Sequence, residues 1–366
     1  MSRAFPLSRT TGPVSEEERR TILAAPGFGK FFTDHMASAT WTPAEGWHDH
    51  KVTALAPYSL HPSAAVLHYA QEIFEGLKAY RHADGSVWLF RPEFNARRFA
   101  RSAERLALPV LPEEDFLTSV EELVRADEAW VPSSPDEKSL YLRPFMFASE
   151  AFLGVRPAEQ IAYSVIASPA GPYFAGGVTG ITLWVSSNYT RAGRGGTGAA
   201  KCGGNYASSL AAQIESRKNG CDQVLFLDDT GGEGDLEESG TMNLCLVTSA
   251  GELVTPALGN ILDGVTRDSI LSLAGEFGLT PVERPITLSE LRSGAADGTV
   301  TEVFAAGTAA VVTPIVGFKG ESKGEGYAFT IGTGTPGKQT LAIREHMLDI
   351  QYGRAEDVHG WMRRVV

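Results

Sequence analysis

The stretch "GTGAAKCGGNYASS", residues 196–209, sets one lysine among glycines, alanines and a tyrosine. A lysine normally lays its stem along a surface and its ammonium in water. Here the neighbours offer neither bulk nor an acidic partner. Two readings of Lys201 follow. In one it is a loop lysine on a tight turn. In the other it sits in a confined pocket, where desolvation lowers the pKa and leaves the amine nucleophilic. Small flanking residues would then let a flat ligand approach the backbone. A phosphate loop of the G-x-x-x-x-G-K-[ST] kind is excluded, because Ala200 precedes the lysine and Cys202 follows it.

The 366 residues argue for two domains. A content of 43% hydrophobic and 21% charged residues is a globular balance. The net charge of -12 speaks against a nucleic-acid partner. Cys202, Cys221 and Cys245 are scattered without a C-x-x-C, so neither a metal site nor a disulfide framework is expected, and a reducing cytoplasm is. The start, "MSRAFPLSRTTGPVSEEERR", lacks an apolar leader core, and no run of about 18 apolar residues exists. The expectation is a soluble cytoplasmic protein with no membrane span.

Along the chain, "DHMASATWT" (34–42) alternates as a half-buried strand does, and "VLHYAQEIFEG" (66–76) reads as a short helix closed by Gly76. "LKAYRHADGSVWLFRP" (77–92) predicts two strands joined at Asp84-Gly85. Helices follow in 94–108 and 113–132, then strands in 139–149 and 161–171. This mixture without a steady βαβ rhythm is α+β. The Gly/Pro/aromatic loop "SPAGPYFAGG" (168–177) marks the boundary between a smaller first domain (1–174) and a linker (175–187). The second domain (188–366) contains the lysine. A strand is predicted at 181–187, in the linker, and in the second domain strands at 223–229, 242–256, 301–308 and 310–318, with helices at 205–220, 267–278 and 337–353. So many short strands suggest a barrel-like or sandwich core.

Three further features bear on chemistry. If Lys201 served pyridoxal phosphate, a carboxylate would have to keep the pyridine nitrogen protonated. "DLEESGTMN" (235–243) offers Glu237 and Glu238, of which only one can point at a cofactor, since strand neighbours face opposite ways. A phosphate is suited to a helix N-terminus, and "ILDGVTRDSILSLA" (261–274) places Gly264, Val265 and Thr266 at one. "AAGTAA" (305–310) adds the hydroxyl of Thr308, and Arg98 in "FNARRF" a fixed charge.

Nine segments occur in order: "FGKFFTDHM" (28–36), "IFEGLKAYR" (73–81), "LFRPEFNARRFARSAERL" (89–106), "YLRPFMF" (141–147), "GPYFAGG" (171–177), the opening stretch, "EESGTMN" (237–243), "LDGVTRDSIL" (262–271) and "VFAAGTAAVV" (303–312). Each alone is weak. Together, over most of the chain, they resemble the branched-chain amino acid aminotransferases, which are fold-type IV pyridoxal phosphate enzymes. The resemblance implies a two-domain fold with the cofactor between a smaller N-terminal α/β domain and a larger C-terminal domain with a barrel-like β core. It implies reversible ping-pong transamination of L-leucine, L-isoleucine and L-valine with 2-oxoglutarate.

By that resemblance Lys201 forms the internal aldimine and shuttles the proton. Tyr206 meets the phenolic oxygen of the ring, and Glu238, two positions before the glycine of the family's E-x-G-T-M-N, meets the pyridine nitrogen. Arg98, Val265, Thr266 and Thr308 hold the phosphate, while Arg97 faces elsewhere. Thr241 and the N–H of Ala309 receive the α-carboxylate. Phe28, Tyr69, Phe74, Tyr141 and Tyr173 form the side-chain pocket, and Arg143 accommodates the second carboxylate of glutamate. Family members usually form homodimers in which the partner's first domain helps complete the pocket. The loop "RAGRGGTG" (191–198) is expected to close over substrate. A C-x-x-C thiol switch of some animal members is absent, its places being Ala310 and Thr313. The nearest alternatives are a D-amino acid aminotransferase or an aminodeoxychorismate lyase. A rival of another class is a non-catalytic anion- or nucleotide-binding protein.

Overall fold

The computed structural model describes residues 3–133, 137–173, 177–228 and 234–366. The chain divides into two compact units: Met1–Pro172 with Ala200–Gly203 and Asp349–Val366, and Tyr173–Ala199 with Gly204–Leu348. The lysine segment and the C-terminal tail therefore belong to the first unit, whereas the sequence segmentation assigns both to the second. Long-range pairing draws them there, and composition carries no trace of it.

In the first unit, helix α1 (Glu16–Ala24) begins at Ser15, whose hydroxyl accepts the Glu18 N–H at 3.2 Å. Strands β1 (His35–Thr42) and β2 (Gly46–Ala54) are antiparallel. The predicted helix over 66–76 is two elements. Helix α2 (Ala65–Tyr69) stops at Ala70, which is left-handed at φ 47°, and β3 (Glu72–Phe74) then pairs with a later strand. Short apolar runs do not distinguish the two structures by periodicity. Strands β4 (Leu77–Arg81) and β5 (Val87–Phe90) form the predicted hairpin. Helix α3 (Pro92–Arg105) starts on proline, whose missing N–H costs nothing there. After α4 (Glu113–Ala126), strands β6 (Ser139–Ala148) and β7 (Ile161–Ala170) pair along their whole length.

The second unit contains β8 (Ile181–Val185), α5 (Gly203–Lys218, whose first residue belongs to the first unit), β9 (Gln223–Leu227), β10 (Leu236–Ser239), β11 (Met242–Thr248) and β12 (Glu252–Thr255). Then come α6 (Val265–Leu273), β13 (Thr280–Glu283), α7 (Leu288–Asp297), β14 (Val300–Gly307), β15 (Val311–Ser322), β16 (Glu325–Thr330) and α8 (Lys338–Gln351, whose end from Asp349 belongs to the first unit). The last strand, β17 (Met362–Arg364), pairs with β5.

The first sheet runs β17-β5-β4-β6-β7-β1-β2, with β3 on β6. Its core joins the apolar stripes of α3 and α4 to the strands, with Phe99 against Phe116 at 5.4 Å and against Tyr163 at 5.8 Å between ring centres. The second sheet runs β10-β9-β8-β15-β14-β11-β12-β13 with β16 on β15, and β10 also pairs with β11. That last pairing closes β10, β9, β8, β15, β14 and β11 into a six-stranded barrel. Leu225, Leu244, Val303, Ala305, Ile315 and Phe318 belong to its core cluster. Closure removes the strand edges within the ring. Val311, a β-branched residue at φ 62°, closes the turn between β14 and β15. The expected barrel-like core is thus present, as is the mixed α and β class, whereas the first unit, expected to be the smaller, is the larger of the two because it takes in the lysine segment and the C-terminal tail.

Candidate active site

In the first unit, residues 200–203 lie on β3 and α3. Phe74 donates its N–H to the Lys201 carbonyl at 2.9 Å, and Lys201 donates its own N–H to the Ser102 hydroxyl at 3.0 Å. Glu72 accepts the Gly203 N–H. The backbone around the lysine is thus held from both directions, while its Nζ lies 4.9 Å from the centre of the Phe74 ring. Burial, reinforced by the charges of Arg98 and Arg143 and opposed by Glu75 and Tyr141, lowers the Lys201 ammonium to about 8. At pH 7 about one amine in ten is then uncharged, against about one in three thousand for an ordinary lysine. A lowered basicity is what the second of the two readings expects of Lys201.

Arg98 is buried on α3. Its Nε donates to Glu75 Oε1 at 2.7 Å and its Nη2 to Oε2 at 2.8 Å. Burial alone would raise the Glu75 carboxyl; Arg98, Lys201 and Asn95 overcome that and hold it below the usual carboxylate range. Arg97 is exposed and pairs with Glu113 at 3.3 Å. Arg143 lies over the rings of Phe74 (4.8 Å) and Tyr141 (5.4 Å) and donates Nη2 to the Tyr141 hydroxyl at 3.2 Å. Its Nε is buried without a hydrogen-bond partner among the described residues. Phe28 meets Tyr141 edge to face at 5.0 Å. Gly76 is required beside them, because a Cβ there would lie 2.0 Å from the Tyr141 hydroxyl. Lys201, Arg98, Phe28, Phe74, Tyr141 and Arg143 are therefore brought together. Tyr69 stands in another setting, exposed, with its hydroxyl donating to the Leu153 carbonyl. Cys202 is buried in the first core.

In the second unit, Glu238 on β10 is 1% exposed. Its Oε1 accepts the Leu262 N–H at 2.7 Å, and its Oε2 pairs with Arg191 Nε at 2.8 Å. Arg191 is itself held by the carbonyls of Gly198 (2.9 Å) and Asn260 (3.0 Å), which ties both ends of the 191–198 loop to the carboxylate. Glu237 is also buried. Burial, with Glu238 and Asp228 adding to it and Arg191 opposing, pushes its carboxyl up to about 7. The two acids differ as strand neighbours should: one is paired and bonded, while the other has an oxygen without a partner among the described residues.

Asn243, opposite Glu238 in the ladder, donates Nδ2 to the Leu262 carbonyl at 2.8 Å. Gly264 then starts α6, and a Cβ on it would fall 2.0 Å from Asn243 Oδ1. Among the described residues no side chain caps this helix, so the N–H groups of its first turn, at the buried Val265 and Thr266, retain their affinity for an anion. Thr308 and Ala309 lie in the β14–β15 turn and Thr241 in the β10–β11 turn. Tyr206 is half-buried in the first turn of α5. Tyr173 is exposed; the rest of its motif, Phe174 to Gly176, lies outside the described residues, as does Asp229.

Sequence reasoning missed Arg191, Glu75 and Asn243. Each partners a residue it did select, and only quoted motifs ("RAGRGGTG", "IFEGLKAYR", "EESGTMN") pointed near them. Each unit by itself supplies chemistry that pyridoxal 5'-phosphate requires: the first a half-buried amine of lowered basicity and a buried arginine, the second a buried carboxylate fixed by an arginine and a helix start without a described side-chain cap. Among the described residues no group of three or more His, Cys, Asp and Glu is arranged to hold a metal ion.

The family described as amino-transferase class IV matches residues 72–318. The chain is 52% identical to the branched-chain-amino-acid aminotransferase of Mycolicibacterium smegmatis over 99% of its length and 98% of that protein's. It is 50% identical to that of Mycobacterium tuberculosis, over 99% and 98%. Among solved structures, it resembles the branched-chain amino acid aminotransferase of Escherichia coli at TM-score 0.72 and 28% identity, covering 90% of this chain and 100% of that one. The T.th. branched-chain amino acid aminotransferase with pyridoxamine 5'-phosphate gives TM-score 0.72 and 29% identity over 90% and 99%. With its nine motifs, its closed barrel and these relatives, the chain belongs to the class IV amino-transferases, in the branched-chain-amino-acid aminotransferase family.

Proposed function

We propose that this protein is a pyridoxal phosphate-dependent aminotransferase. It moves the amino group of L-leucine, L-isoleucine or L-valine to 2-oxoglutarate, releasing a branched-chain 2-oxo acid and L-glutamate, in two alternating half-reactions. The observation that carries the reading is the Lys201 amine, half-buried, doubly anchored through its backbone and brought to a pKa of about 8.

When bound, pyridoxal phosphate supplies an electrophilic carbon and an electron sink for the carbon that loses its proton. Everything else is done by side chains of this chain. Lys201 attaches the cofactor and, when uncharged, takes the substrate Cα proton and later returns it. Glu238, kept in place by Arg191 and the Leu262 N–H, holds a proton on the pyridine nitrogen. Arg98, the N–H groups of Val265 and Thr266, and the Thr308 hydroxyl bind the phosphate. Tyr206 donates to the phenolic oxygen. Thr241 and the Ala309 N–H take the α-carboxylate. Phe28, Phe74 and Tyr141 present an aromatic wall that suits branched aliphatic side chains, to which the exposed Tyr69 and Tyr173 are added on the family resemblance alone, and Arg143, flanked by two rings, receives the second carboxylate of glutamate.

We also propose a homodimer. Leu67, Tyr69, Leu153 and Val155 are exposed in the first unit, Val155 at 88%, and the Tyr69–Leu153 bond places two of them side by side. Exposed apolar groupings of this kind mark association surfaces. A cytoplasmic location agrees with three free buried thiols and with no described helix long and apolar enough to cross a membrane. A panel of L- and D-amino donors against 2-oxoglutarate tests the function. Turnover with L-leucine, L-isoleucine and L-valine supports it, and turnover confined to D-donors or to none of them contradicts it.

A further inference from the structure

Glu75 has no role in the reading above, yet it is 0% exposed and its carboxylate is fully committed. Oε2 accepts from Asn95 Nδ2 at 2.7 Å, Arg98 Nη2 at 2.8 Å and the Gly76 N–H at 3.1 Å, and Oε1 accepts from Arg98 Nε at 2.7 Å. Its own N–H donates to the Pro144 carbonyl at 2.7 Å, which fixes its backbone to β6. Asn95, 1% exposed on α3 one turn before Arg98, completes the cluster. A guanidinium gripped by two parallel bonds has one orientation.

The same carboxylate answers an electrostatic problem. The charged groups around the Lys201 amine are Arg98 and Arg143, which repel its proton, and Glu75, which attracts it; Tyr141 favours the charged form as well. Without Glu75, the buried Arg98 and the half-buried Arg143 and Lys201 would stand together with no anion among those groups. Removing one member of a buried pair leaves an uncompensated charge.

We propose that Glu75 is a positioning residue with two tasks: it aims the Arg98 guanidinium at the cofactor phosphate, and its charge balances that cation beside the Lys201 amine. The proposal rests on the assignment of pyridoxal phosphate to this site. Orientation and charge are separable, because Asn95 secures the position of Glu75 and carries no charge of its own.

The test uses full-length wild type, Glu75→Gln and Asn95→Ala, with melting curves to establish folding. Affinity is measured for pyridoxal 5'-phosphate and for pyridoxal, which lacks the phosphate. The pH midpoint of Lys201 modification by trinitrobenzenesulfonate is read by peptide mapping on cofactor-free protein. For Glu75→Gln we expect pyridoxal phosphate to bind about tenfold more weakly or worse, with pyridoxal little changed, as for loss of a charged hydrogen-bond partner. Its Lys201 midpoint should fall below that of wild type. Asn95→Ala should lose phosphate-dependent affinity and keep the wild-type midpoint. Equal losses for both ligands, or wild-type values in a folded Glu75→Gln, overturn the proposal. If Glu75→Gln does not fold, an Asn95→Ala protein with the wild-type affinity ratio overturns it. Wild type that binds no pyridoxal phosphate would instead sink the functional reading, leaving the midpoint comparison to judge the charge balance on its own.

Discussion

At the scale of single residues, the lowered basicity of Lys201 has a consequence for stability as well as for chemistry. Its folded pKa of about 8 lies below the unfolded 10.5, so the unfolded chain binds the extra proton between those values. The lysine therefore destabilises the fold fully below pH 8, and the penalty fades as pH rises to 10.5. Lys201→Met is expected to gain about 1 to 3 kcal/mol at pH 7 in denaturant unfolding of cofactor-free protein, and less at pH 10. An equal gain at both pH values would refute the assigned pKa. Glu238→Gln keeps the shape of the carboxylate and removes its charge, leaving Arg191 without its anion. Steady-state kinetics should show kcat reduced about a hundredfold or more, the order expected where a charge stabilises the reacting system. The aromatic pocket is untouched, so KM for leucine should change much less.

At the scale of elements, two helix starts make opposite predictions. Thr287 caps α7 by accepting the Glu290 N–H at 3.0 Å, so Thr287→Ala should cost about 1 kcal/mol in unfolding experiments and leave cofactor affinity alone. Gly264 opens α6 with no room for a Cβ. Gly264→Ala should cost about 1 to 3 kcal/mol through overpacking and should also weaken cofactor binding. Most strands and the long helices were legible because their periodicity is local. Helices α1 and α7 were not, although "SEEE" (15–18) and "TLSE" (287–290) carry the acid-rich first-turn pattern; both are short, and α1 buries none of its residues. The helix expected over 66–76 failed at Ala70, because pairing with β6 outweighs propensity in a short apolar run. In the candidate site, Lys201 and the Glu237–Glu238 pair stand out in the sequence as residue types in a pattern, and the resemblance selects Glu238 from the pair. Their partners Glu75 and Arg191 do not stand out, since a carboxylate 23 residues before Arg98 and an arginine 47 residues before Glu238 follow no period.

At the scale of the whole molecule, the C-terminal strand β17 returns to pair with β5 and the lysine segment joins the first sheet's unit. Neither fact is visible in composition, because both depend on contacts between distant parts of the chain. The dimer belongs to this scale too. Sedimentation at micromolar concentration should give twice the mass of one chain, and Val155→Asp, which puts a charge on the exposed apolar set, should shift the protein toward a single chain; a monomeric wild type would contradict the association. The functional expectations presuppose that the cofactor is attached at one amine. Reducing the purified protein with borohydride in the presence of pyridoxal 5'-phosphate, then mapping the labelled peptide, tests that directly. The phosphopyridoxyl group should be found on Lys201, in the peptide containing "GAAKCGG". A label on a different lysine, or none at all, would contradict the account.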